Sequence, residues 1–149
     1  MSQKLILPIN KCRVTASYKN PNYRKEFGYT HYGCDFTDLN KKDKTIWASG
    51  NGTVAEAGWS NACGNVVIVI YPSCILANGK VMDLVARYYH LEKITVKKGQ
   101  KVTKDTRLGL DSDYTVIQEQ VVATIYTLKL IQIANIIIIR LKLVVIAVC

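Results

Sequence analysis

The chain has 149 residues, of which 49% are apolar and 21% charged, with 9 glycines and 3 prolines. This length and composition fit one compact domain and exclude disordered, collagen-like and multidomain proteins. The formal net charge of +9 suits nucleic acid, acidic lipid or an anionic cell-wall polymer, and charge alone does not choose among them. The five cysteines are an odd number, lie far apart and form no C-x-x-C pair, so we expect free thiols.

The two ends of the chain differ from its middle. The N-terminal apolar run of residues 5–7 is too short for a signal-peptide core, so we expect no Sec-type export signal. Residues 114–149 contain no Gly or Pro and become almost continuously aliphatic. We therefore divide the chain into a domain at 1–113 and an aberrant tail at 114–149.

The pattern before the tail predicts an all-β fold with helix as a minor component at most. Short β-branched runs are bounded by Gly, Asn, Pro or Lys-rich turns, and no long 3.6-residue period is present. Asn51-Gly52 and Asn78-Gly79 are typical of hairpin turns. The predicted strands are Thr45–Ala48, Gly52–Ala57, Asn65–Tyr71, Asp83–Leu91 and Ile94–Val96.

The only two histidines lie in short motifs that are weak when taken alone. His31 and Asp35 offer an imidazole nitrogen and a carboxylate oxygen, both of which bind zinc. Taken alone, this two-residue spacing is more typical of a surface histidine beside a turn than of a metal site. His90 lies on a predicted strand whose alternation places Tyr88 and His90 on one face, and Tyr89 and Leu91 on the other. By itself His90 is more typical of a structural residue than of a catalytic one.

Several segments of the chain follow one another in the order of a known family. They are residues 13–18, His31-x-Gly33-x-Asp35-Phe36, residues 46–58, residues 64–70, residues 87–91, residues 96–102 and residues 108–110. Their order resembles the lysostaphin-type (LytM-like) zinc metalloendopeptidases, which cut peptides in bacterial peptidoglycan. The resemblance implies an antiparallel β-sheet core crossed by a groove, zinc bound by His31 and Asp35, and His90 as a catalytic histidine. Tyr29, Tyr32 and Tyr89 are candidates to line the groove, although packing explains each equally well.

One block of the family pattern is missing. The family ends in H-x-H followed by an aromatic and an acidic residue, which supplies a third zinc ligand and a second catalytic histidine. No histidine follows His90, and the block would fall just after Asp111, where the composition changes. The site as written is therefore incomplete.

A shift of reading frame explains the missing block. Each residue largely fixes the first two bases of its codon. In the reading frame that starts on third bases, two of the three bases in every codon are therefore known. In that frame residues 123–129 permit His-His-Leu-His-Phe-Glu, and residues 118–121 permit Gly-Thr-Gly. We interpret the tail as out-of-frame translation after loss of one base or gain of two near codon 114. The product with the frame restored is called the frame-repaired chain below.

A membrane anchor at residues 128–149 is the rival interpretation of the tail, since about twenty apolar residues span a bilayer. Gln132, Asn135, Arg140 and Lys142 interrupt that segment, and two of them are charged. We therefore expect no genuine transmembrane anchor.

Three functions remain open on the sequence. The resemblance puts a zinc endopeptidase acting on peptidoglycan peptides first, with this chain inactive because the H-x-H block is missing. The alternative is a catalytically dead LytM-like domain that binds or scaffolds other proteins. A nucleic-acid-binding domain comes third and is not expected, because the aromatic residues cluster around the histidine motifs rather than along a basic strand face. The missing signal peptide favours a phage lysin, a tail-associated hydrolase or a domain cut from a longer chain.

The frame hypothesis predicts the nucleotide sequence after codon 113. Resequencing codons 110–130 should show bases that encode His-Leu-His-Phe-Glu in the frame that begins on third codon positions. Codons incompatible with that peptide would refute the hypothesis.

Overall fold

The computed structural model describes residues 1–38, 43–112 and 119–124, with the backbone alone at 119–124. Strands dominate this part of the chain, and the predicted all-β fold is confirmed. The elements are β1 (Cys12–Ala16), α1 (Pro21–Phe27), β2 (Cys34–Asp38), β3 (Thr45–Trp47), β4 (Gly52–Ser60), β5 (Gly64–Ile75), β6 (Val81–Ile94), β7 (Lys101–Val102), β8 (Arg107–Asp111) and β9 (Glu119–Thr124).

Four of the five predicted strands correspond to β3, β4, β5 and β6, and the last three are longer than predicted. The fifth, Ile94–Val96, is not a separate strand, because Ile94 is the last residue of β6. Strands β1, β2, β7 and β8 were not predicted. The boundary proposed at residue 114 stays a prediction, and β9 is the only part of the proposed tail that the structure describes.

The strands form one antiparallel sheet in which β6 is the central member. The order of hydrogen-bonded neighbours is β1-β2-β9-β6-β5-β4-β7, and β8 pairs with both β3 and β6. Strand β6 therefore has β5 along one edge, and β9 and β8 in succession along the other. This arrangement places β2, β9 and β6 side by side, and these strands position the candidate site.

Aliphatic side chains and two tyrosines fill the core. Tyr71 and Tyr88 are both fully buried, and their hydroxyl oxygens lie 2.7 Å apart. The backbone N–H of Ser49 donates to the Tyr71 hydroxyl, and the Ser49 hydroxyl lies 3.1 Å from that of Tyr88. Because these polar groups satisfy one another, the two large rings can be buried without leaving unpaired hydroxyls.

One of the two predicted hairpin turns is confirmed and the other is wrong. Asn78-Gly79 joins β5 to β6, and Gly79 has a φ of 77°. Asn51-Gly52 joins β3 to β4, but these strands are not paired, since β3 pairs with β8 and β4 with β5 and β7. Gly52 is instead required by close packing, because a Cβ there would lie 2.6 Å from the backbone oxygen of Ile70.

A β-bulge interrupts β6 at His90. Tyr88 pairs with Val67 and Leu91 pairs with Asn65, so three steps along β6 oppose two along β5. His90 has a φ of 59°, and its N–H donates to the carbonyl of Cys63 at 3.0 Å. The extra residue buries both Tyr88 and Leu91. The strict alternation that we predicted for residues 88–91 is therefore wrong.

The helix α1 is short and carries its own start and stop signals. The side chain of Asn20 accepts from the N–H of Asn22, Pro21 opens the first turn, and Gly28 ends the helix with a φ of 78°. None of its seven residues is buried. In the described part of the chain no helix has the length and apolar character needed to cross a membrane. Residues 128–149, the rival anchor, lie outside it.

The packing of β4 predicts opposite effects for two glycines of the same strand. Gly52→Ala should lower the free energy of unfolding by about 1–3 kcal/mol, because the new methyl group meets backbone. Gly58→Ala should leave it unchanged or raise it by about 0.5–1 kcal/mol, since nothing lies within 4 Å of that position. Urea denaturation followed by tryptophan fluorescence measures both, and equal effects would contradict the assigned packing.

The bulge predicts an inverted preference at position 90. His90→Gly should be more stable than His90→Ala by about 1–2 kcal/mol, because only glycine adopts the left-handed conformation without strain. At Arg87, in the regular part of β6, the order should reverse, with glycine less stable than alanine by about 0.5–1 kcal/mol. Alanine being more stable at both positions would show that the backbone at His90 is not left-handed.

Candidate metal centre

Strand β2 and the segment just before it place Asp35 and His31 together. Asp35 is the second residue of β2, and its backbone pairs with Ala16 near the end of β1. His31 precedes β2, and its carbonyl accepts from the N–H of Lys19 at 2.7 Å. This hydrogen bond joins the two ends of the segment between β1 and β2, and it holds His31 just before the strand that carries Asp35.

The polar atoms of the pair converge in the interior at ion-pair distance. His31 Nε2 lies 3.0 Å from Asp35 Oδ1, and the two side chains are 1% and 0% exposed. Neither this nitrogen nor either carboxylate oxygen of Asp35 has a hydrogen-bond partner among the described residues. Buried polar atoms without partners are costly, and a shared cation would satisfy all of them. The donor set, one nitrogen and carboxylate oxygen, fits zinc.

A contact at the second ring nitrogen of His31 sets the tautomer of the imidazole. His31 Nδ1 lies 3.2 Å from the carbonyl oxygen of Ser17, which can only accept a hydrogen bond. In the neutral ring this contact places the proton on Nδ1 and leaves the Nε2 lone pair directed toward Asp35. Metal-binding histidines in proteins use this kind of backbone contact.

Aromatic rings cover the histidine on the side of α1. The ring of Tyr23 stacks on that of His31 with centroids 4.4 Å apart and planes 18° from parallel. The hydroxyl oxygens of Tyr23 and Tyr29 lie 3.3 Å apart. Tyr23 thus links the exposed helix to the buried ligand. We did not predict this contact, although Asn20-Pro21 before a Tyr23/Phe27 pair four residues apart is typical of a helix with one aromatic face.

His90, on β6, interacts electrostatically with the Asp35 carboxylate. Burial lowers the pKa of His90, and the Asp35 carboxylate acts in the opposite direction without reversing the shift. Burial lowers the pKa of His31, but the Asp35 carboxylate and the Ser17 carbonyl together raise it by more than burial lowers it. The pKa of His31 therefore lies above the ordinary value. At neutral pH His90 is therefore uncharged and able to accept a proton.

The three tyrosines predicted to line a groove lie at different depths. Tyr29 and Tyr32 are 55% and 51% exposed, and Tyr89 is half-buried with its ring centroid 6.4 Å from that of His90. Tyr32 contacts Tyr18, with centroids 6.2 Å apart. The structure thus places all three near the histidines, and their contact with substrate stays a prediction.

The described residues supply two ligands and no third. No group of three His, Cys, Asp or Glu side chains able to hold a metal is found among them. Strand β9 lies between β2 and β6, with the backbone of Gln120 opposite Asp35 and that of Val121 opposite Tyr88. The block expected at residues 123–129 in the shifted frame begins on β9 and continues beyond the described residues.

Comparison with known proteins finds similar sequences and folds. The chain is 34% identical over 68 residues to the peptidoglycan DD-endopeptidase ShyA of Vibrio cholerae, an alignment that covers 46% of this chain and 14% of that protein. A zinc-containing peptidase from Vibrio cholerae superposes with a TM-score of 0.59 at 21% identity, covering 80% of this chain and 36% of that one. Lysostaphin superposes with a TM-score of 0.59 at 24% identity, covering 85% and 49% respectively.

These structural likenesses show the fold, and this chain spans less than half the length of each of the three proteins. The sequence itself matches peptidase family M23 over residues 29–122, well over half of the chain and including both histidine motifs. The LytM-like resemblance is confirmed, and the chain belongs to peptidase family M23.

Proposed function

We propose that this domain is a zinc metalloendopeptidase that cleaves peptide bonds in bacterial peptidoglycan. The observation that carries the proposal is the buried meeting of His31 Nε2 with Asp35 Oδ1, with no hydrogen-bond partner for either atom in the described part of the chain. Family membership supports a peptidase, and the curated relative is a peptidoglycan endopeptidase. The proposed place of action is the cell wall, and a phage source is part of the same hypothesis.

The residues divide into two roles. His31 and Asp35 would hold the metal, with the Ser17 carbonyl orienting the imidazole. A zinc ion bound there supplies a Lewis acid that polarises the scissile carbonyl and lowers the pKa of water. His90 is neutral at pH 7, so it can take a proton from the attacking water and return it to the leaving amine.

We further propose that the chain as written has little or no activity. The whole sequence contains two histidines, so a third imidazole ligand and a second catalytic histidine are both missing. Two protein ligands bind zinc much more weakly than three, because each lost ligand removes a direct bond to the metal. The same count is the observation that favours the second candidate function, a catalytically dead domain that binds or scaffolds another protein.

Zinc content separates the two candidate functions. After dialysis against metal-free buffer, the frame-repaired chain should retain one zinc per chain, and the chain as written should retain far less. His31→Ala and Asp35→Ala in the repaired chain should reduce affinity by more than the roughly 10–100-fold that loss of an outer partner causes. His90→Ala serves as the matched control and should keep its zinc. Elemental analysis gives the stoichiometry, and a repaired chain without zinc would favour the scaffold function.

Wall hydrolysis tests the catalytic assignment. The repaired chain should release dye from labelled, purified cell walls, and a chelator should abolish the release. His90→Ala should slow hydrolysis by about 10²–10⁴-fold while zinc is retained, because it removes a proton-transfer group. Chelator-sensitive clearing by the chain as written would show that the ligand set is misassigned.

A further inference from the structure

A basic surface of the described chain lies on β7, on the turns that flank it and at the start of β8. Residues 97–107 contain five basic residues and one acidic residue. All five basic side chains are exposed. We call this surface the lysine edge, and its members are Lys97, Lys98, Lys101, Lys104 and Arg107.

No carboxylate of the described residues neutralises the lysine edge. The one lysine in a described ion pair is Lys44, which lies 3.9 Å from Glu92 and outside this surface. Lys101 is held by a hydrogen bond to the hydroxyl of Thr53 rather than by an acid. The charges of the edge are therefore available to an external anion.

Two hydrogen-bonded turns hold the lysine edge in place. In the first, the N–H of Gln100 donates to the Lys97 carbonyl, and Gly99 adopts a φ of 83°. In the second, the N–H of Thr106 donates to the carbonyl of Thr103, whose own N–H donates to the Thr106 hydroxyl. The first turn is also bonded to Val54 of β4. Because the backbone is already ordered, binding an anion costs less conformational entropy.

The position and composition of the edge indicate what it would bind. Lys101 lies on β7, which ends the sheet and is separated from β6 by β4 and β5. Arg107 opens β8, and it is the opposite end of β8, at Asp111, that pairs with Leu91 beside His90. The edge therefore lies on strands and turns other than those that carry His31, Asp35 and His90. Residues 97–107 contain no aromatic residue, whereas proteins that bind single-stranded nucleic acid stack bases on aromatic rings. Regularly spaced cations without aromatics suit a flexible chain of phosphates that has no bases.

We propose that the lysine edge binds an anionic wall polymer with a phosphodiester backbone, such as a poly(glycerol phosphate). This inference rests on the proposed function, because it assigns the edge to holding the domain on the wall that its metal centre would cut. Lysines on a short edge strand also discourage pairing between molecules, a role that would require no ligand.

The test measures binding of the full chain to fluorescently labelled poly(glycerol phosphate) by anisotropy, across a range of salt concentrations. Lys97→Glu, Lys98→Glu and Lys104→Glu combined should weaken binding at low salt by about tenfold or more, and should flatten the salt dependence. The matched control combines Lys4→Glu, Lys11→Glu and Lys80→Glu, which makes the same charge change at exposed lysines elsewhere. It should weaken binding by less than about threefold. A triple Lys→Gln variant at 97, 98 and 104 replaces the first if the glutamates prevent folding.

Three results would overturn the proposal: no binding to the polymer, equal weakening by the edge variant and the control, or tighter binding to duplex DNA or anionic vesicles than to the polymer. The first two would leave an edge-protecting role, and the third would assign the surface to nucleic acid or membrane. None of them depends on catalysis. Failure of the frame-repaired chain to hydrolyse cell walls, with polymer binding intact, would instead count against the proposed function alone.

Discussion

Strand β6 must pair with different partners along one edge while keeping its large side chains in one core. Residues 85–88 pair with β9, and residues 91–94 pair with β8. The bulge at His90 falls between these two stretches, where one partner strand gives way to the next. The extra residue lets both Tyr88 and Leu91 enter the core, and it takes His90 out of the regular ladder. The branching of the sheet and the placement of His90 thus have the same cause.

Two clusters of polar side chains are buried in the protein, and they differ in how their polar atoms are satisfied. Ser49, Tyr71 and Tyr88 satisfy one another, so they add rigidity without leaving an unpaired atom. His31 Nε2 and Asp35 Oδ1 lie 3.0 Å apart, at ion-pair distance, but neither they nor Asp35 Oδ2 has a hydrogen-bond partner among the described residues. A buried ion pair is often no more stabilising than apolar residues of similar volume, so stability alone does not account for this pair. The contrast between the two groups indicates that the second is arranged for a ligand.

The sequence predicted the strands that have clear apolar runs and the residues that lie within short motifs. The runs at Gly52–Ala57 and Asn65–Tyr71 lie within β4 and β5, and His31 and Asp35 meet as the family resemblance implied. Strand β1 was missed because its side chains are mostly exposed or half-buried, so no alternation shows. The bulge at His90 was missed because it depends on how two partner strands meet β6, which no local pattern records. The stacking of Tyr23 on His31 was missed because helix α1 buries none of its residues.

The position of β9 explains how a family fold can persist beside an incomplete site. Strand pairing uses backbone N–H and C=O groups, and residues 121–124, Val-Val-Ala-Thr, are mostly β-branched, so a strand forms there whatever chemistry its side chains carry. The metal centre has the opposite requirement, because a ligand must be a particular side chain at a particular register. A change of reading frame that preserves β-branched character can therefore keep the ladder between β2 and β6 while it removes the histidine. The pairing of β9 with β2 and β6 is for that reason compatible with a sequence that has no histidine after His90.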